Sequence, residues 1–223
     1  MLSRRFTILL PATWLCGRSA SAQSVPAGVA ASGSLSQPSA LWFDPTQLPS
    51  YNGRLERWVA DPSGAVARGL LREGTQFVFS ASEAEGLMLA IAPGAPIWVW
   101  GIRARNAPVV LMLAWGRSEA QPANFVERPA WFINQEAGHE PLRLSGRILC
   151  PLLTPRGEGM GVILEEGGSI RLPVAVHRAL GDLLKVGEPI AAEGRGTRRD
   201  GVVALDATAI GREAARLQPV TPP

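Results

Sequence analysis

The sequence predicts an all-β protein built as two tandem five-stranded barrels, each in the order strand, strand, strand, helix, strand, strand. Two observations carry this. The chain echoes itself at a displacement of 93 residues: Gly53-Arg54, Pro62, Gly64, Leu71, Glu73-Gly74, Leu87, Gly94, Pro96-Ile97, Gly101 and Val109-Val110 fall on Gly146-Arg147, Pro155, Gly157, Leu164, Glu166-Gly167, Leu180, Gly187, Pro189-Ile190, Gly194 and Val202-Val203. Matches concentrated on Gly and Pro mark places where a backbone must turn, so the copies share a fold more than a surface. Within each copy, apolar residues alternate with period two except in one short stretch of helical spacing.

Taken in order, residues 1–22 have the pattern of a signal peptide: Arg4-Arg5, an apolar run from Phe6 to Leu15, and Ala20-Ser21-Ala22 before Gln23. Pro11 interrupts the run short of the roughly 20 residues a membrane-spanning helix needs. Residues 23–50 are rich in Ser, Ala, Gly and Pro and are expected to form a flexible leader. Copy one then occupies 51–116, a linker 117–143, copy two 144–211 and a tail 212–223.

Copy two shows the unit clearly. Gly146 to Leu153 alternates, Thr154-Pro155-Arg156-Gly157 turns, Met160 to Leu164 is apolar, and Glu166-Gly167-Gly168 leads into the alternating Ser169-Ile170-Arg171-Leu172. From Val174 to Lys185 the spacing of Val176, Leu180, Leu183 and Leu184 predicts a helix, with Gly187 as its left-handed stop. In copy one Leu87, Ala90 and Ile91 repeat the stripe, Gly94 the stop, and Ser82-x-x-Glu85 has the form of a capping box. Ile190–Gly196 and Val202–Ala209 complete copy two, as Ile97–Ala104 and Val109–Trp115 complete copy one.

This order is that of the OB barrel. With the Asp44-Pro45 to Leu48-Pro49 entry, the Pro-x-Gly turn after the first strand and the Glu-Gly turn before the third, the chain resembles bacterial secreted or periplasmic OB-fold (BOF-like) proteins. The resemblance spans about 51–211 without the linker. Its motifs are structural turns, so it implies a fold and transfers no catalytic residue.

Charge narrows the partners. Loss of residues 1–22 removes Arg4, Arg5 and Arg18 and no acid, so 22 basic and 19 acidic residues become 19 of each. A chain near neutrality lacks the field that drives non-specific phosphate binding, which disfavours nucleic acid. Cys150 is the one cysteine after Cys16 departs, leaving no intramolecular disulfide, and its alternating apolar setting predicts an inert thiol.

Comparing the copies locates two candidate surfaces. By strand parity Trp98 and Trp100 on the fourth strand, and Leu111, Leu113 and Trp115 on the fifth, face outward where copy two carries Glu193 and Asp206. Such a patch needs cover from the linker (Phe125, Trp131, Phe132, Ile133) or leader (Trp42, Phe43), or else it meets a partner protein, a second copy or an aromatic or carbohydrate ligand. Parity also puts Arg57 inside the barrel and Trp58 outside unless a bulge in the first strand reverses both. In copy two, Arg156, Arg171, Arg195, Arg198 and Arg199 gather by sequence at the rim where OB barrels clamp ligands, suiting phosphate or carboxylate, although a solvated hairpin tip explains them equally. No outward aromatic on the second and third strands offers a stacking platform for bases.

Catalytic and metal signatures are missing. His139 and His177 have no ligand partner at metal spacing, Gly157-Glu-Gly-Met-Gly161 opens a strand and not a helix, and Glu165-Glu166 are hairpin neighbours. The sequence therefore predicts an exported, periplasmic or secreted, non-catalytic protein without cofactor or metal. It binds an anionic ligand, a phosphate-bearing polymer or glycan, at the arginine rim. The alternatives are an envelope interaction module or homo-oligomer using the tryptophan face, and, last, nucleic-acid binding.

Overall fold

The computed structural model describes residues 42–120, 123–131, 136–199 and 201–221, except the side chain of Arg199. The signal-peptide expectation lies outside the described residues, as do Phe132 and Ile133. Copy one comprises β1 (Ser50–Ala60), β2 (Val66–Leu71), β3 (Gln76–Val78), α1 (Ala84–Ala90), β4 (Pro96–Arg103) and β5 (Val109–Gly116). A short β6 (Asn124–Phe125) follows. Copy two comprises β7 (Glu140–Leu153), β8 (Gly159–Leu164), β9 (Ser169–Arg171), α2 (Val174–Ala179), β10 (Pro189–Arg199) and β11 (Val202–Gly211), with a short β12 (Gln218–Pro219).

Each copy is a closed five-stranded barrel of OB type. Strands run β3-β2-β1-β4-β5 in the first and close by parallel pairing of β3 with β5; β9 and β11 close the second in the same way. β6 and β12 each add an antiparallel strand outside the closed five. The long first strand serves two neighbours: Ser50–Arg54 pair with β4, whereas Leu55–Ala60 pair with β2, with register shifts between Leu55 and Arg57 and between Val59 and Ala60. β7 has matching shifts between Ile148 and Cys150 and between Pro151 and Leu153. The first shift in β1 turns Arg57 out and Trp58 inward, where the indole meets Phe77 and Phe79 edge-on at 5.9 and 5.8 Å. Leu55, Phe77, Phe79, Leu87, Ile97 and Val110 fill barrel one, and Ile148, Leu164, Ile170, Leu172, Ile190 and Leu205 fill barrel two. Full burial of each such side chain contributes roughly 1.5–3 kcal/mol.

The echo now has physical causes. Arg54 Nη1 donates to the Gly94 carbonyl at 3.1 Å and Arg147 Nη1 to the Gly187 carbonyl at 2.9 Å, so each Gly-Arg pair ties its first strand to the turn before the fourth. Gly101 and Gly194 recur because a Cβ there would stand 1.9 Å from the Leu111 carbonyl oxygen and 1.7 Å from that of Asp206. Both sit at register shifts, where β5 and β11 each carry one extra residue, Leu113 and Thr208.

Several expectations need correction. The echo slips from 93 to 95 residues in the last strand: Val109 pairs with Gln76, and its counterpart opposite Ser169 is Ala204, not Val202. The longer hairpin of copy two absorbs the difference. The predicted helix over 174–185 ends at Ala179, and Gly94 and Gly187 shape the turn back to the first strand, donating to Leu55 O and Ile148 O, so they do not stop the helices. Ser82 forms no capping box; it bonds Ser80, and a 3-10 turn at Ala81–Glu83 leads into α1. Within the expected flexible leader, Asp44 Oδ1 accepts from Thr46 N at 2.8 Å and Thr46 Oγ1 at 2.7 Å to cap a turn at Pro45–Gln47. Those bonds hold the Asp44 carboxyl below its ordinary pKa.

α2 packs His177 over Gly159, whose missing side chain makes the space. Burial holds the imidazole below its ordinary value of 6.5, against the opposing effect of a hydrogen bond with the Gly161 carbonyl, and Nε2 is buried without a hydrogen-bond partner among the described residues. The fold thus favours the neutral ring, whose contribution is present above the unfolded pKa and lost as pH falls through the lower folded one. Urea denaturation between pH 7.5 and 5 is expected to show stability falling below about pH 6.5, with a smaller slope in His177→Gln; equal slopes would contradict this role.

Candidate functional site: the junction between the barrels

In a solitary OB barrel the second and third strands present the ligand face. Here the two barrels turn those faces toward each other. Val59 and Leu70 of copy one pack with Leu152, Met160 and Ile163 of copy two, and Val59/Leu152 and Leu70/Ile163 are equivalent pairs under the duplication. The polar contacts repeat the relation: Gln76 Nε2 donates to Pro151 O at 2.7 Å, while its counterpart Ser169 donates from Oγ to Ala60 O at 3.3 Å. Each first turn also meets the other copy's last hairpin, Gly64 against Thr197 and Gly157 against Ala104 and Ala107. Arg57, displaced outward by its bulge, reaches across to Leu164 O at 2.9 Å.

Where the duplication is broken, a cavity of about 410 Å3 opens between the faces. Val59, Val78 and Phe79 line it from copy one, Leu152 and Met160 from copy two, and Pro129–Trp131 of the linker form a further wall. Arg68 also lines it, standing on β2 where copy two has Gly161. Only 6% of Arg68 is exposed. Its Nη1 donates to Gln76 Oε1 at 2.8 Å, and the same oxygen accepts from Leu153 N. Among the described residues no carboxylate forms an ion pair with it. Burial lowers its pKa to about 10, which still leaves a full positive charge at neutral pH.

Two further charged groups, Asp61 and Arg171, line the cavity. Asp61 Oδ1 builds the first turn by accepting from Ser63 N, Ser63 Oγ and Ala65 N, while its Oδ2 is buried with no hydrogen-bond partner among the described residues. Arg171 forms a two-pronged pair with Asp206, Nη2 to Oδ2 at 2.7 Å, and donates to Glu136 O. The equivalent cross-strand pair in copy one is Val78 and Leu111, so one register position is solved with charge in one barrel and without it in the other.

The arginine rim is therefore reduced. Arg171 is held as described, and Arg195 donates to Gly138 O and to His139 O at 2.6 Å, pinning the end of the linker. Arg156 and Arg198 are exposed, beside different loops of copy one, and the Arg199 side chain lies outside the described residues. The tryptophan face does not stand open either. Trp100, Leu111, Leu113 and Trp115 are buried and Trp98 is half-buried. Leu113 is the extra residue of β5, so parity reverses beyond it and Trp115 joins the core of barrel one. β6 pairs along β5, Val126 N donates to Leu113 O, and the ordered turn before β1 lies against β4 and β5.

Compared with family models, with curated proteins and with solved structures, the chain matches none. The site must speak for itself. Sequence reasoning passed over Arg68, and the signal that marks it is a mismatch: a cation inside an apolar second strand, at a position where the copy has glycine. Cys150 lies near it, and burial pushes the thiol up to about 11, consistent with an unreactive sulfur. Among the described residues no three His, Cys, Asp or Glu are gathered to hold a metal, and no helix is long and apolar enough to cross a membrane.

Proposed function

We propose that this is an exported, non-catalytic binding protein of the secreted OB-fold kind, and that its anionic ligand enters the junction between the barrels. The observation that carries the reading is Arg68. A buried guanidinium costs several kcal/mol of desolvation unless an anion neutralises it, and Gln76 supplies only a neutral oxygen. Retained beside a cavity, such a cation fits an anion that arrives from outside. The face-to-face docking also accounts for a mature chain without a phosphate-tracking groove, since the strands that carry single-stranded nucleic acid in other OB barrels are here spent on each other.

A second reading keeps the rim, because Arg156 and Arg198 are exposed and available to a phosphate-bearing polymer or glycan. One experiment separates them: calorimetric titration of the mature protein with inorganic phosphate, acetate and a polyphosphate, in wild type, Arg68→Gln and the Arg156/Arg198/Arg199→Ala triple variant. The junction predicts that the small anions bind and lose at least about tenfold in affinity in Arg68→Gln while the triple variant is unchanged. The rim predicts salt-sensitive polyphosphate binding lost only in the triple variant. Small-anion binding indifferent to Arg68 would overturn the junction reading.

A further inference from the structure

The lining of the cavity says what kind of anion it is shaped for. We propose that it takes a single-chain carboxylate, a medium-length fatty acid in chemical terms, with its head on Arg68 and its chain between the barrels. This rests on the anion reading above and adds the chain to it.

Three features converge. The cavity, about 410 Å3, is of the size that encloses one small molecule and not a polymer segment. Beside Arg68, with which no carboxylate among the described residues forms an ion pair, Val59, Val78 and Phe79 on one side and Leu152 and Met160 on the other give hydrocarbon and aromatic walls. Asp61, Ser80, Ser169 and Arg171 supply the polar part of the lining. Methionine and an aromatic ring adapt to a flexible chain without leaving polar groups unpaired. The duplication breaks at two of these positions: Gly161 stands where Arg68 does, so this buried cation belongs to copy one alone, and Arg171, engaged by Asp206, stands where Val78 does. One buried cation without an ion pair beside a hydrocarbon wall suits a one-headed, one-tailed ligand. A small hydrophilic anion would leave the apolar wall wet, and a neutral lipid would leave Arg68 without a counter-charge.

Of the lining residues, Trp131, half of whose surface is exposed, and Ala81, at the start of the 3-10 turn before α1, are the exposed ones, so the proposed entrance lies there. Ala81→Trp narrows this entrance without touching the packed core, whereas Arg68→Gln removes the head contact and, through Gln76, risks loosening the docking of the barrels.

The test is a titration of the full mature chain with butyrate, hexanoate, octanoate, decanoate and decan-1-ol, all below their aggregation concentrations, with thermal melts of each variant. Affinity is expected to rise about fourfold per added methylene until the cavity is full. Decanol is expected to bind at least about tenfold more weakly than decanoate, and Ala81→Trp to lose decanoate binding with an unchanged melting temperature. Affinity flat in chain length, or decanol binding as well as decanoate, overturns the proposal. If flat affinity accompanies acetate and phosphate binding that depends on Arg68, the anion reading stands and only the chain is lost. If none of the compounds binds, both fall.

Discussion

Ile163→Ala, a change in copy two, is expected to lower the unfolding midpoint seen by tryptophan fluorescence, although copy two contains no tryptophan. Trp58, Trp98, Trp100 and Trp115 all report on barrel one, and Trp42 and Trp131 on segments outside the second barrel. Ile163 is fully buried among Val59, Leu70, Leu152 and Met160, half of which belong to the other copy. Removing its branch deletes transfer free energy and leaves a void that two sheets must close around, at a cost of about 2–5 kcal/mol. For a chain of this size that is a drop of roughly 5–15 °C. Because the void lies in a shared layer, the tryptophan signal and the far-ultraviolet dichroism are expected to move together. A dichroism transition that shifts while the tryptophan transition stays would show barrels that unfold separately, contrary to a common junction.

The same coupling explains which parts of this molecule could be read from its residues. Turns are local, so Pro62, Gly64 and Glu73-Gly74 and their echoes placed every strand of both barrels, β2/β8 and β3/β9 at the same bounds after displacement. Bulges are not local. Nothing in the run Leu111-Met-Leu-Ala-Trp115 reveals that Leu113 is an unmatched residue against β4, and without that extra residue parity sends Trp115 to the wrong face. Strand one offered the same ambiguity, and there the alternative of a bulge turned out to govern both Arg57 and Trp58. Which arginines of the rim are already engaged was illegible for a different reason. A guanidinium looks identical in sequence whether it awaits a ligand or already holds Asp206, as Arg171 does, or the His139 carbonyl, as Arg195 does. Arg68 was hidden among apolar neighbours, and only the facing of two barrels, a long-range fact, gives it a cavity. What the sequence did carry was the comparison between copies, and Arg68 and the Arg171–Asp206 pair both lie at positions where that comparison fails.

Arg171 and Asp206 allow this reasoning to be tested by exchange. Their cross-strand pair has 11% and 31% of the two side chains exposed, so it is neither a solvated surface pair nor a dry one. Asp206→Leu alone takes the carboxylate from a mostly buried guanidinium that still donates to Glu136 O, and is expected to cost about 2–3 kcal/mol, below the 3–5 of a fully buried pair because Asp206 keeps water on one side. Copy one supplies the remedy, since Val78 and Leu111 occupy the equivalent register with no charge at all. The double change Arg171→Val with Asp206→Leu is therefore expected to return to within about 1 kcal/mol of the wild type, giving a coupling of about 2 kcal/mol in a double-mutant cycle measured by urea denaturation. Additive losses would mean that the pair is not interchangeable with its counterpart. The cycle also bears on function, because Arg171 lines the cavity. If Arg171 serves only the fold, the double variant keeps the Arg68-dependent binding of small anions. A protein restored in stability yet unable to bind them would place Arg171 beside Arg68 in the anion site and require a ligand with more than one negative charge.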